Sequence, residues 1–217
     1  MTKWGPTILV LVLLPLAGCR SREVRDEAVF ETVWTEPRSE PVPHDLTRFD
    51  VARERYLAGD FGAAIKVCNA LLADGARDAG VSDLSGLAKA AQGKHKKAIL
   101  DFNLAIATDP LRGDLRFHRG NSWFLLKDFR VAERDYTDAL GLEETAAAHN
   151  NRGNARGALG DWAMAVVDYN AAIELDPNLG PAYRNRSRAR ARLGDEEGMR
   201  EDQDRGRELE PHARPKG

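Results

Sequence analysis

The sequence predicts an all-α solenoid of about five two-helix units over residues 45–213. Three observations carry that expectation. A pattern returns about every 34 positions, and self-similarity at such a period marks a stacked-repeat architecture. Small residues fall at the same places in each round. A Gly-Asp turn, or a near equivalent, splits each round into two helical halves.

The round from Ala146 to Leu179 is the most complete. Its first helix is predicted over about 147–159 and ends at Gly160, which adopts a left-handed backbone cheaply. Asp161 follows as N-cap of a second helix over about 162–175. That helix stops at Asp176-Pro177, because proline lacks an N–H and restricts the residue before it. Gly153, Ala165 and Ala172 stand at unit positions 8, 20 and 27, where small residues let the two helices approach. Trp162 and Tyr169 fill the space between them.

The remaining units follow in phase. Position 8 holds Ala52, Gly86, Gly120, Gly153 and Ser187, and position 20 holds Ala64, Ala98, Ala132, Ala165 and Met199. Position 24 holds Cys68, Phe102, Tyr136, Tyr169 and Gln203, and position 27 holds Leu71, Ala105, Ala139, Ala172 and Gly206. The turns read Gly59-Asp60, Gly93-Lys94, Lys127-Asp128, Gly160-Asp161 and Gly194-Asp195, and Pro110, Pro177 and Pro211 close three units.

This small–small–aromatic–small–Pro pattern resembles the tetratricopeptide repeat (TPR) family. The resemblance implies a right-handed superhelical solenoid with units at about 45–78, 79–112, 113–145, 146–179 and 180–213, followed by a tail at 214–217. It also implies a protein or peptide partner. The first unit departs from the pattern at Cys68 and Leu71 and lacks the proline, and the third is one residue short. The second helix of the fifth unit, about 195–209, has Met199 and Leu209 as its only strongly apolar residues. It is expected to end the stack with a wet face.

Arg119, Arg152 and Arg186 share position 7, and Asp101, Asp135, Asp168 and Asp202 share position 23. A partly buried guanidinium requires a carboxylate. Each Arg is therefore expected to pair with an Asp of its own or the preceding unit. Cys68 is expected to be a buried free thiol.

The N-terminus reads as an address. Lys3 supplies a basic start, and Ile8 to Leu14 is an apolar run ended by Pro15. The run is shorter than the roughly 20 residues of a membrane-spanning helix. Leu16-Ala17-Gly18-Cys19 resembles the lipobox of bacterial lipoproteins. That resemblance implies a signal peptide at 1–18, palmitate or a related acyl chain on Cys19, and a membrane anchor. Each buried CH₂ contributes about 0.8 kcal/mol to such an anchor. Arg20 is not the Asp that retains enterobacteria-like lipoproteins at the inner membrane. In a Gram-negative cell this points to the outer membrane, facing the periplasm. Residues 19–44 are polar and proline-rich and are expected to form a tether. Phe30, Val33 and Trp34 either dock on the first unit or belong to a plain spacer.

In TPR proteins the first helices line the concave surface. Transferring those positions selects Phe117, His118 and Asn121 in the third unit, and Asn150, Asn151 and Asn154 in the fourth. In the fifth it selects Arg184, Asn185, Arg188 and Arg192. A carboxamide both donates to a peptide carbonyl and accepts from an N–H. Arg184, Arg188 and Arg192 share one helix face by their spacing of four. They either hold an acidic partner or are neutralised by Glu196, Glu197, Glu201 and Asp204 on the adjoining helix. The carboxylate clamp of chaperone-binding TPR domains is not matched. Phe117, Pro181 and Asn185 stand where that clamp has Lys, Lys and Arg.

Charged residues make up 30% and hydrophobic residues 42% of the 217-residue chain, a core-forming composition. The formal net charge of −2 supplies no basic field for nucleic acid. His44, His95, His118, His149 and His212 are scattered without a zinc-binding spacing, and no nucleophile elbow or phosphate loop is present. No cofactor, metal or catalytic residue is expected. The sequence therefore predicts a membrane-anchored, non-enzymatic adaptor of the bacterial cell envelope. The alternative is a self-associating structural lipoprotein or a pilotin-like assembly factor for a pilus or secretion pore.

Overall fold

The computed structural model of the chain describes residues 46–209. The signal peptide, Cys19, the tether with Phe30, Val33 and Trp34, and the C-terminal tail lie outside the described residues.

The described residues form helices only. They run in order α1 (Leu46–Leu57), α2 (Phe61–Ala73), α3 (Ala79–Ala91), α4 (His95–Thr108), α5 (Gly113–Leu125), α6 (Phe129–Leu140), α7 (Ala146–Ala158), α8 (Trp162–Leu175), α9 (Gly180–Leu193) and α10 (Glu196–Leu209). Every helix packs on its neighbours in sequence, so the chain is a helical solenoid. Successive odd-numbered helices also touch one another, whereas successive even-numbered helices do not. The odd helices are therefore the tighter, inner layer and the even helices the outer one.

Local chemistry explains the turns between the two helices of each unit and two of the helix starts. Gly59, Gly93, Gly160 and Gly194 adopt positive φ at the turns, and Lys127 takes the same role at φ 65°. A left-handed backbone costs a non-glycine residue about 1 kcal/mol or more. Asp60 and Asp161 cap α2 and α8 by accepting from the backbone N–H three residues on.

The core is made of rings pressed on glycines. A Cβ built on Gly86, Gly120 or Gly153 falls 2.5, 2.8 or 2.6 Å from the ring of Phe102, Tyr136 or Tyr169. Any side chain there displaces the ring. Where the first unit has no ring, Ala52 replaces the glycine and packs with the buried Cys68. The two positions therefore trade volume between units.

The arginine–aspartate pairs form within the third, fourth and fifth units, whereas Asp101 of the second unit is bonded by Ser85 and Lys89. Arg119 donates to both oxygens of Asp135 at 2.8 and 2.6 Å. Arg152 grips Asp168 and Arg186 grips Asp202 in the same way. The link to the preceding unit uses the third guanidinium nitrogen and not an aspartate. Arg119 reaches Asn103 and Arg186 reaches Asn170, each at 2.7 Å. Arg152 extends towards Thr137 in the same direction. One arginine thus satisfies a buried carboxylate and fixes the stagger between adjacent units, which sets the spacing of the inner helices.

Candidate functional site

The inner helices α5, α7 and α9 link five of the sequence-selected residues to one another. Asn121 on α5, Asn151 and Asn150 on α7, and Asn185 and Arg188 on α9 form one hydrogen-bonded chain. Asn151 donates to Asn121 at 2.9 Å, Asn150 to Asn151 at 3.1 Å and Asn185 to Asn150 at 3.0 Å. Arg188 closes it by donating to the Asn185 oxygen at 3.3 Å. The chain crosses three units, so it exists only because the ladder behind it holds their register.

Two tyrosines of the outer layer hold asparagines of the inner helices, one within this chain and one beside it. Tyr136 donates to the Asn121 oxygen and Tyr169 to the Asn154 oxygen, both at 2.9 Å. Burial, with Asp135 and Asp168 nearby, pushes both phenols well above their ordinary value. The hydroxyls therefore remain protonated donors at neutral pH. Much of the acceptor capacity of the carboxamides is spent within the protein: the Asn121 oxygen accepts twice and the Asn150, Asn151, Asn154 and Asn185 oxygens once each.

The fifth unit sorts its arginines by face. Arg186 and Arg190 turn to Asp202. Arg184 is partly buried, its side chain lying against Gly206. Arg188 and Arg192 are exposed, and Arg192 lies over the Trp162 ring at 5.4 Å. Neutralisation by the next helix, one of the two sequence-level readings, does not occur for this pair. Glu196 bonds Arg200 and Asp204 bonds Arg207 along α10 itself. Among the described residues, neither Arg188 nor Arg192 has a carboxylate within ion-pairing distance.

The α5 end of the surface differs. His118 Nδ1 lies 2.8 Å from Asp83 on α3, with the Phe102 and Phe117 rings beside the imidazole. Phe117 packs on Tyr136. A carboxylate only accepts, so Nδ1 carries a proton. Asp83 is nearly buried and also faces Arg112. The sequence reading omitted Asp83, although it occupies the same unit position as Phe117, Asn150 and Arg184. It also omitted the tyrosine braces. Their signal is joint recurrence: Asn121 goes with Tyr136 and Asn154 with Tyr169, whereas the second unit pairs Leu87 with Phe102 and has neither polar group.

Among the described residues no group of three His, Cys, Asp or Glu side chains is placed to hold a metal ion. No described helix is long and apolar enough to cross a membrane. Cys68 is buried, and burial pushes its thiol up to about 11.

The family model of the tetratricopeptide repeat matches residues 146–179, the unit formed by α7 and α8. The described residues are a tetratricopeptide-repeat solenoid. MamA shares the fold at TM-score 0.69 and 18% identity, covering 76% of this chain and 91% of its own. YrrB, a TPR protein with an unusual peptide-binding site, shares it at TM-score 0.66 and 19% identity, covering 80% of this chain and 88% of its own. RNA polymerase II-associated protein 3 of Homo sapiens is 38% identical over 88 residues, 40% of this chain. The match spans 13% of that protein's length. The first TPR of Spaghetti (RPAP3) bound to the HSP90 peptide SRMEEVD is 32% identical at TM-score 0.53, covering 54% of this chain and 94% of its own.

Proposed function

We propose that this chain is a lipid-anchored interaction scaffold of the bacterial cell envelope, holding a protein or peptide segment against the inner face of its TPR solenoid. It acts by binding and not by catalysis. The observation that carries the reading is the unbroken polar surface from Asn121 through Asn151, Asn150 and Asn185 to Arg188. Side chains from three units converge there, which suits a ligand long enough to touch all three. The peptide-binding site of YrrB and the HSP90 peptide bound to the RPAP3 TPR lend support, since both proteins share the fold. A chaperone C-terminal tail is not the proposed ligand, because Phe117, Pro181 and Asn185 replace the cations that would clamp it.

The anchor rests on the Leu16-Ala17-Gly18-Cys19 string and the apolar run before it. With Arg20 following, the protein of a Gram-negative cell would hang from the outer membrane into the periplasm, on the tether of residues 19–44. Metabolic labelling with palmitate and membrane fractionation test this. Wild type is expected in the membrane and labelled, and Cys19→Ala in the soluble fraction. A Cys19→Ala variant that stays in the membrane refutes the anchor.

The binding face is tested with a photo-crosslinking residue at Asn154, on the inner surface, and at Met164, exposed on α8. Partner adducts are expected at Asn154. Adducts confined to Met164 refute the groove. They would favour the second reading, self-association through the outer helices, where Leu100, Leu104, Met164 and Val167 are exposed. In that case light scattering gives a mass that rises with concentration.

A further inference from the structure

The hydrogen-bond directions within the inner surface restrict what it accepts. Both lone pairs of the Asn121 oxygen are taken, by Tyr136 and Asn151. The oxygens of Asn151, Asn150, Asn185 and Asn154 accept from Asn150, Asn185, Arg188 and Tyr169. Each amide nitrogen keeps at least one N–H outside the chain, and Asn121 and Asn154 keep two. The oxygens other than that of Asn121 keep one lone pair each, so the surface from α5 to α9 is weighted towards donors over acceptors. At its α9 end it carries Arg188 and Arg192, two exposed cations with no carboxylate partner among the described residues.

Such a surface is complementary to a chain of acceptors with negative charge at one end. Resting on the peptide-groove reading above, we propose that the ligand is an acidic peptide segment. Its backbone carbonyls accept from the asparagine N–H groups, and its Asp or Glu carboxylates pair with Arg188 and Arg192. Bonds to a guanidinium are among the stronger ones available, and Arg presents a planar fork to a carboxylate. A basic segment offers the same backbone carbonyls but brings like charge to Arg188 and Arg192, so it is disfavoured. The geometry favours peptide over nucleic acid. Two unpaired cations are few for a phosphate backbone, and Asn side chains offer no stacking platform for bases.

The test is selection from a displayed library of random twelve-residue peptides on the immobilised full-length chain. It is run in parallel on Arg188→Glu/Arg192→Glu and Arg188→Lys/Arg192→Lys variants, each checked for unchanged helicity and unfolding midpoint. Wild type is expected to enrich Asp- and Glu-rich peptides. The best of them should bind at least about tenfold more weakly to the glutamate variant, the scale of one lost charged hydrogen bond. The lysine variant keeps the acidic preference. Enrichment of neutral or basic peptides on wild type, or equal binding to the glutamate variant, overturns the proposal while leaving a peptide groove in place. No enrichment at all overturns both. Competition by single-stranded DNA as strong as by the selected peptide also overturns it, in favour of a general polyanion site.

Discussion

Replacing Gly153 with alanine tests the packing on which each unit is built. The added Cβ falls 2.6 Å from Cε1 of Tyr169 and 3.0 Å from its Cδ1 and Cζ. Carbon atoms prefer about 3.5–4.0 Å. The ring cannot retreat easily, since Tyr169 is 3% exposed and its hydroxyl is held by Asn154. Two effects compete. Alanine gains about 1 kcal/mol over glycine in helix propensity. Overpacking costs about 1–3 kcal/mol, and a displaced ring loses a hydrogen bond of about 1 kcal/mol. The net expectation is a loss of about 1–3 kcal/mol in urea unfolding followed by circular dichroism. Gly62→Ala is the control. Gly62 is exposed on α2, with nothing nearer its added Cβ than the Asp60 carboxylate at 3.8 Å, so there the propensity gain is expected alone. The first unit supplies the rescue, because it pairs Ala52 with Cys68. In the Gly153→Ala background, Tyr169→Cys should therefore cost less than it does alone. A Gly153→Ala protein as stable as wild type, or additive single effects, refutes the volume-trading argument.

Four further outcomes follow from the same structure. Asp168 is 1% exposed and bonded by both Arg152 and Arg156, so Asp168→Ala leaves the mostly buried Arg152 without a carboxylate, while Arg156 keeps Glu133, and is expected to cost about 3 kcal/mol in chemical unfolding. The exposed Arg207–Asp204 pair is expected to contribute about 0.5 kcal/mol or less by the same measurement. Lys127→Gly places glycine where φ is already positive and is expected to raise stability by about 0.5–1 kcal/mol, read as a higher unfolding midpoint. Cys68 has a folded pKa raised above its unfolded value, so the stability it contributes is full below pH 9.0 and lost as pH rises towards about 11. In a Cys19→Ala background, where it is the remaining cysteine, its thiol should resist labelling at neutral pH until the protein unfolds. Fast labelling of the folded chain contradicts its burial.

Much of the fold was legible because its signals are local. A left-handed glycine, an aspartate accepting from the third N–H, and a proline past a helix end act within a few residues, and their return in phase announces the repeat. The glycine and ring positions were legible for the same reason. The candidate groove was legible only by register. Helix spacing puts Arg184, Arg188 and Arg192 on one face, but it does not say what faces them.

What the sequence by itself determined was the order of helices, the unit length, and which residue types meet at each unit position. The tertiary structure decided the pairings. Arg119, Arg152 and Arg186 take the aspartate of their own unit and reach the preceding unit through Asn103, Thr137 and Asn170. It also decided that on α10 Asp202 takes Arg186 and Arg190 while Glu196 and Asp204 pair along their own helix, so that Arg188 and Arg192 have no carboxylate partner among the described residues. Likewise, the asparagine oxygens turn inward, towards two tyrosines and each other. A hydrogen bond depends on a few tenths of an ångström between side chains 15 to 35 residues apart. That separation is set by the stacking of whole units, which no single stretch of sequence specifies.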